Sequence, residues 1–443
     1  MELKVIRVGN DGEGIAYHQN KPVFIYYAYK NETVRADLSI NKRGAYEGEL
    51  KEIIKPSEYR ITPQCPFYGI CGGCNLMHIR YQESLYYKKD LMKYLIKKEF
   101  GDQDKDILIN NTIPSKNIFN YRNQMNIPVR KINNENSIGL FYRGTNQFLP
   151  IDQCMIQDDH LNKLAKDILW LMNKKKIEAY DPKTNTGQVV NLAIRTNLEG
   201  QMQLTFVLKN QANLTNLIKE LLKINPKVVS VYENFVPKYK TNRDLLSGTL
   251  KHLAGTEELI MTLENYQFFL TPHAFFQLNT EQAINLYNTI IKKADLKKTD
   301  IVLDAYSGVG TIATFLSPHV KEVVAIESIK DAVKAMEKSN QVNQIQNIKP
   351  ITGDVIKVTE YLKKKFDLMV FDPPRVGLGE KVVNYILKNK PSKIIYVSCD
   401  PETLAKDLKG LSKLYQIVSI DPFDMFPQTS QVESITLLKL KKN

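Results

Sequence analysis

No stretch of this sequence stays apolar for the roughly 20 residues that a bilayer-crossing helix needs, so no membrane span is expected. Its first residues, "MELKVIRVGNDGEGIAYHQNKPVFIYYAYK", have no basic stretch followed by an apolar one. A secretory signal is therefore not expected, and the cytoplasm is the expected location. Cysteine is scarce, with five in 443 residues. In a reducing compartment so few thiols serve as ligands or catalysts rather than as a disulfide framework. Acidic side chains are also in deficit: 48 Asp and Glu face 61 Lys and Arg, a formal charge of +13. That excess favours a polyanionic partner, nucleic acid first and an anionic membrane surface second. Internal repeats and low-complexity linkers are absent, so the length has to be filled by folded domains, and it suffices for two or three.

Residues 1–56 read as short strands, "LKVIRV", "GIAYHQ", "KPVFIYYA", "ETVRADLSI" and "YEGELKEII", separated by turn formers such as "GNDGEG" and "NKRGA". Five short strands predict a small OB-like barrel. Lys4, Arg7, Lys30, Arg35, Lys42 and Arg43 spread basic charge over it. A solvated surface and an RNA-binding face both fit that pattern. A cysteine cluster follows, "CPFYGICGGCNLMHI", and then a helix over about 81–100 in which Leu85, Met92, Leu95, Ile96 and Phe100 recur at helical spacing as core contacts. Residues 57–265 read as a mixed α+β middle domain, with strands at "QVVNLAIRTN", "QMQLTFVLK" and "KVVSVYENF" and one helix near "DDHLNKLAKDILWLMNKKK". In residues 266–443 strands alternate with helices: "DIVLDAYSG", "EVVAIES", "FDLMVFDPP", "KIIYVSCDP" and "ESITLLKL" frame stretches such as "IKDAVKAMEKSNQVNQ". This α/β pattern predicts a Rossmann-like, doubly wound parallel sheet.

"VLDAYSGVGTIA" sets Gly308-x-Gly310-x-x-Ala313 after a strand and at the start of a helix, where backbone can approach a ligand. Glu327, 19 residues beyond Gly308, ends the next strand, where a carboxylate can accept ribose hydroxyls. A nicotinamide cofactor and S-adenosylmethionine fit this fingerprint equally. "VFDPPRVG" separates them: Asp372-Pro373-Pro374-Arg375 forms a rigid turn at a strand's carboxyl end, a feature of nucleic-acid methyltransferases.

Cys399 in "YVSCDPETLA" lies past another strand, at the same edge. Methylating an amine needs no enzyme nucleophile, but C5 of a pyrimidine is barely nucleophilic. A thiolate adding to C6 makes C5 reactive, and a base must then remove the C5 proton so that the thiolate can leave. Glu433 in "SQVESITLLKL" is the candidate base. The target nucleotide has to be flipped out or unpaired. In "TPHAFFQLN", Phe275 and Phe276 offer aromatic faces and Gln277 an amide, with core packing an equal account of the two phenylalanines.

Taken together, the barrel, the cysteine cluster, "FFQLN", "LDAYSGVGT", "FDPPR", "SCDPETLAKDL" and the terminal "VES" resemble the RNA uracil-C5 methyltransferases of the bacterial 23S rRNA type, which carry an N-terminal TRAM barrel. The resemblance covers almost the whole chain. It implies Cys399 as nucleophile and Glu433 as base. Gln277, Tyr306, Glu327 and Asp372 would then lie around S-adenosyl-L-methionine, with Asp354 near the adenine. Thr311 stands where some members of the family have Asn, a departure that bears on one cofactor contact. Cys65, Cys71, Cys74 and the remote Cys154 supply four thiolates. Their spacing suits a tetrahedral zinc or an iron–sulfur cluster, and the resemblance implies a [4Fe-4S] cluster. The implied partner is RNA, 23S rRNA in the first instance. A tRNA uridine methyltransferase and a non-catalytic RNA-binding assembly factor are the alternatives.

Overall fold

The computed structural model describes residues 1–443 except 42–43, 105, 240–244 and 443, together with the side chain of residue 104. Lys42 and Arg43, counted above among the basic residues of the barrel, lie outside the described residues. The chain divides into two compact units. One comprises Met1–Lys116, Asn288–Ala305 and Val355–Asn443, and the other Asn117–Tyr287 and Tyr306–Asp354. Among the described residues no helix is long and apolar enough to cross a membrane.

The first unit begins with six strands rather than five: β1 (Glu2–Lys4), β2 (Arg7–Val8), β3 (Gly14–His18), β4 (Lys21–Ile25), β5 (Thr33–Ile40) and β6 (Tyr46–Lys55). Their order is β1-β5-β6-β4-β3-β2. The expected single strand "LKVIRV" is broken at Val5 and Ile6, which is how the barrel closes. Val5 N–H donates to the carbonyl of Glu32 on the β5 side, while Ile6 N–H donates to Ile15 in β3. One kinked segment thereby covers both edges of the sheet. Val5, Val23, Ile25, Val34 and Ala36 fill the interior.

Helix α1 (Tyr81–Phe100) follows the cysteine loop, and all five of its expected core residues are buried. It also buries a cation that the periodicity did not reveal. Lys88 is fully enclosed, paired with Asp424 and donating to the carbonyl of Phe426.

The second unit carries β7 (Gln124–Ile132), β8 (Glu135–Phe141), β9 (Phe148–Pro150), α2 (Asp159–Lys174), β10 (Val189–Thr196), β11 (Met202–Leu208), α3 (Thr215–Ile224), β12 (Val228–Phe235), β13 (Thr249–Gly255), β14 (Leu259–Leu263) and β15 (Tyr266–Leu270). Seven of these strands form one sheet, ordered β13-β12-β11-β10-β7-β8-β9, and α2 and α3 close its core. Two helices stand where one was expected. The second buries Leu217, Ile218 and Leu221, spaced as one helix turn.

Beyond α4 (Thr280–Ala294), strands and helices alternate as predicted: β16 (Ile301–Ala305), α5 (Thr311–Leu316), β17 (Glu322–Glu327), α6 (Lys330–Val342), β18 (Ile348–Thr352), α7 (Val355–Tyr361), β19 (Leu368–Phe371), α8 (Gly379–Asn389), β20 (Lys393–Ser398), α9 (Pro401–Leu411), β21 (Tyr415–Phe423) and β22 (Glu433–Leu440). In the first unit β16, β19 and β20 run parallel, but β22 lies antiparallel to both β20 and β21. The sheet is therefore mixed rather than purely parallel. No helix separates β21 from β22, and without a crossover two adjacent strands can pair only antiparallel. In the second unit β17 and β18 pair in parallel.

Candidate active site

In the first unit three strand ends converge. Ser398 pairs with Ser434 across the β20–β22 ladder, and Phe371 pairs with Tyr396 across β19–β20. In an antiparallel register the residue after Ser398 and the residue before Ser434 face each other. These are Cys399 and Glu433. Asp372 leaves the adjacent parallel strand at the same end.

Each of the three is held by local structure. Asp400 caps α9 by accepting from the backbone N–H groups of Glu402 and Thr403, each at 3.0 Å, with Pro401 in the first helical turn. Ser398 Oγ donates to the carbonyl of Asp400 at 3.0 Å. Cys399 is thus locked between a strand end and a helix cap. The turn after Asp372 is clamped to α9: Asp407 accepts from Leu378 N–H at 2.7 Å and from the Tyr396 hydroxyl at 2.8 Å, and Thr403 donates to the carbonyl of Arg375 at 3.1 Å. Gly377 sits at φ +77°, and a Cβ there would lie 2.5 Å from the Asp407 carboxylate. Only glycine fits that approach. Asp407 and Thr403 belong to the sequence motif around Cys399, but their clamp is visible only in the fold.

The electrostatics follow from burial. Glu433 is 3% exposed, and its Oε1 has no hydrogen-bond partner. Burial and then the neighbouring Asp372 push its pKa well above the carboxylate range, while Arg375 opposes the shift. Asp372 is half-buried by accessible surface, yet protein packs closely enough around its carboxyl to push it up to about 7. Two such carboxylates side by side resist carrying two charges. The half-buried Cys399 thiol is pushed up to about 12, by burial first, then by Glu433 and Asp372, with Arg375 pulling it back. The cluster thus sets a thiol beside two carboxyl groups, all three with raised pKa values.

In the second unit the glycine turn is built as the motif implies. Gly308 and Gly310 have φ of +56° and +82°, and a Cβ on Gly308 would meet open space. Tyr306 is also left-handed, at φ +65°, a conformation that a bulky side chain holds only where the surrounding structure fixes it. Glu327 is 8% exposed and accepts from Gly308 N–H at 2.9 Å, Ile329 N–H at 2.8 Å and the Ser328 hydroxyl at 3.1 Å. Lone pairs remain on this carboxylate, and the open backbone beside it suits a nucleoside. Asp354 is exposed just before α7.

Gln277 is nearly buried, and its carbonyl accepts from Asn123 Nδ2 at 2.8 Å. The buried Arg195, its pKa pulled down to about 10 by desolvation, donates to the carbonyl of Ala274 at 2.6 Å. Together Asn123 and Arg195 fasten the 271–279 segment, a role that no local pattern announced. Phe276 packs in the core against Phe268, with ring centroids 6.1 Å apart, whereas Phe275 is 69% exposed. Of the two rings only Phe275 is free to meet a base.

The four cysteines expected as metal ligands are divided between the two units. Cys65, Cys71 and Cys74 lie half-buried on one loop of the first unit, and Cys154 belongs to the second. Among the described residues no group of three or more His, Cys, Asp or Glu is gathered to hold a metal ion. No chemical step below is routed through a cluster.

The sequence model of the tRNA (uracil-5-)-methyltransferase family matches residues 80–441. The chain belongs to this family. It is 34% identical to an uncharacterized RNA methyltransferase of Enterococcus faecalis, the match covering 100% of this chain and 98% of that one. A counterpart in Clostridium tetani is 33% identical, with 98% of this chain and 95% of that one covered. Among solved structures, the tRNA (uracil-54, C5)-methyltransferase of Pyrococcus abyssi, in complex with S-adenosyl-L-homocysteine, superposes with a TM-score of 0.79. That match spans 98% of this chain and 99% of the other at 24% identity. The fold is thus that of an S-adenosylmethionine methyltransferase with an N-terminal barrel. Within the RNA uracil-C5 methyltransferases, the iron–sulfur type is not distinguished by these likenesses.

Proposed function

We propose that this enzyme methylates C5 of specific uridines in 23S rRNA, through a transient covalent bond between Cys399 and C6 of the base. The observation that carries this reading is the ladder register that sets Cys399 and Glu433 opposite each other beside Asp372. When bound, S-adenosyl-L-methionine supplies an electrophilic methyl group on a cationic sulfur. Glu327 would hold its ribose and the Gly308 backbone its amino-acid end, with Gln277, Tyr306, Asp354 and Asp372 around it.

The Cys399 thiol gives its proton to solvent, and the thiolate adds to C6, forming a C–S bond and moving the C5–C6 π electrons to C5. C5 would then take the methyl group as the S–CH3 bond breaks, leaving S-adenosyl-L-homocysteine. The Glu433 carboxylate then removes the C5 proton, the C5–C6 double bond re-forms, and the C6–S bond breaks to return the thiolate. A three-part organisation, with a barrel over 1–56, a middle domain over 57–265 and a catalytic domain over 266–443, is part of the same proposal. So is a cytoplasmic enzyme whose barrel and middle domain grip the RNA backbone.

A tRNA substrate is the second reading. It is favoured by the Pyrococcus abyssi structure, whose match to 98% of this chain leaves the barrel unable to discriminate between the two RNAs. The number and spacing of Cys65, Cys71, Cys74 and Cys154 suit zinc as well as a cluster, and their assignment as [4Fe-4S] ligands rests on the resemblance in sequence. Iron and sulfide analysis of anaerobically purified protein tests that assignment, and stoichiometric absence of both would remove it.

RNA containing 5-fluorouridine, which has no C5 proton to lose, tests the chemistry. The wild type becomes covalently trapped on it and Cys399→Ala does not. Equal trapping by the two would refute the mechanism. Mapping 5-methyluridine in rRNA and tRNA from cells lacking the protein separates the substrates.

A further inference from the structure

The cysteine loop and the strand carrying Glu433 are joined by contacts that the chemistry above does not use. Asn75 follows Cys74 directly, and its side chain makes three hydrogen bonds. Nδ2 donates to the carbonyl of Asp11 and, at 2.9 Å, to Ser430 Oγ, while Oδ1 accepts from Ser430 N–H at 2.7 Å. The backbone N–H groups of Asn75 and Leu76 both donate to the carbonyl of Gln428, at 3.1 and 3.0 Å. Gln428 has φ +70°, a left-handed conformation that a non-glycine residue keeps only when its surroundings over-determine it. The clamp supplies that constraint.

Glu433 lies three residues beyond Ser430. Between them Val432, 2% exposed, packs into a cluster with Tyr29, Leu76, Ile79, Tyr87 and Leu91. Asn75 thus fixes the turn, and its neighbour Leu76 seats the residue that precedes Glu433. This matters because Glu433 Oε1 is buried with no hydrogen-bond partner to orient it. The carboxylate is placed by its backbone, which is held on one side by pairing with Phe423 and by the Ser398–Ser434 pair, and on the other by the approach through 428–432.

We propose that Asn75 is a positioning residue for the proton-removal step, holding the entrance to β22 so that Glu433 faces the substrate. The inference rests on the reading of Glu433 as the base. Besides the β20–β22 ladder, Cys399 has anchors of its own in the Ser398–Asp400 bond and the cap of α9, so loss of Asn75 leaves thiolate addition and methyl transfer in place. Removal of the C5 proton slows, the C6–S bond is not released, and a methylated enzyme–RNA adduct accumulates.

The test compares wild type, Asn75→Ala, Asn75→Asp and Glu433→Gln with labelled uridine RNA and S-adenosylmethionine. It reads kcat, both KM values and the adduct fraction on denaturing gels. In Asn75→Ala, kcat is expected to fall about tenfold with each KM within about twofold, the pattern of a displaced catalytic group. The adduct fraction rises towards that of Glu433→Gln. Asn75→Asp keeps the acceptor for Ser430 N–H and loses the donors, so it falls between. If Asn75→Ala does not fold, Ser430→Ala, which removes only the hydroxyl, is read in the same way and shows a smaller rise in adduct. A wild-type kcat with no adduct in the Asn75 variants, beside a trapping Glu433→Gln, overturns the inference alone. A wild type that makes no 5-methyluridine, or a Glu433→Gln that traps nothing, overturns the underlying reading and the inference with it.

Discussion

Removing the buried Lys88 charge should be far more costly than removing any surface cation. Lys88 and Asp424 are 1% and 0% exposed, and their pair joins α1 to the segment that leads towards Glu433. Burial pulls the lysine's pKa below its ordinary value, while Asp424 acts against that shift. Lys88→Met leaves the Asp424 carboxylate buried without its cation, which costs about 3–5 kcal/mol. For a unit of this size that corresponds to a fall in Tm on the order of 10 °C. The double variant Lys88→Met/Asp424→Leu removes both charges and should recover most of the loss, because two desolvated ions are replaced by packing. Arg35→Ala is the control: its partner Glu52 is 54% exposed, and such a surface pair is worth under about 1 kcal/mol. Thermal and urea unfolding of these three variants and of Asp424→Leu alone measure these differences. If Lys88→Met cost no more than Arg35→Ala, or if the double variant were as unstable as the two single changes added together, the account of a charge pair held by mutual need would be refuted.

Two further outcomes follow from the carboxylates. Asp372 has a folded pKa raised to about 7 from 3.8, so the folded state holds its proton across that window, and the stability this contributes is lost as pH rises towards 7. The stability gained by Asp372→Asn over wild type should therefore grow between pH 5 and pH 8; a difference independent of pH in urea titrations would contradict the shift. Glu327→Gln removes the charge that accepts three local donors and would face the ribose. It should weaken S-adenosylhomocysteine binding in calorimetry by about tenfold or more, the worth of a charged hydrogen bond, and unchanged affinity would exclude Glu327 from the cofactor site.

The candidate site residues stand out in the sequence because they are particular residue types at strand ends. Gly308, Glu327, Asp372, Cys399 and Glu433 each follow or open an apolar run that can only be a strand, and strand ends on one edge of an α/β sheet are where ligands bind. The periodicity of α1 likewise announced its buried face, from Leu85 to Phe100. What could not be read were the long-range choices. The antiparallel direction of β22 decides that Glu433 faces Cys399, and it depends on a connection without a helix rather than on any residue pattern. Lys88 looks like a surface lysine until Asp424, 336 positions away, is brought against it. Asn75, Asn123 and Arg195 are ordinary polar residues in the sequence, and their partners are chosen only when distant segments close into hydrogen-bonding range. Local pattern determined which groups can react, because reactivity belongs to the side chain and its strand end. Tertiary structure alone decided which of them meet and which backbone holds them, because burial and charge pairing arise only once the chain has folded.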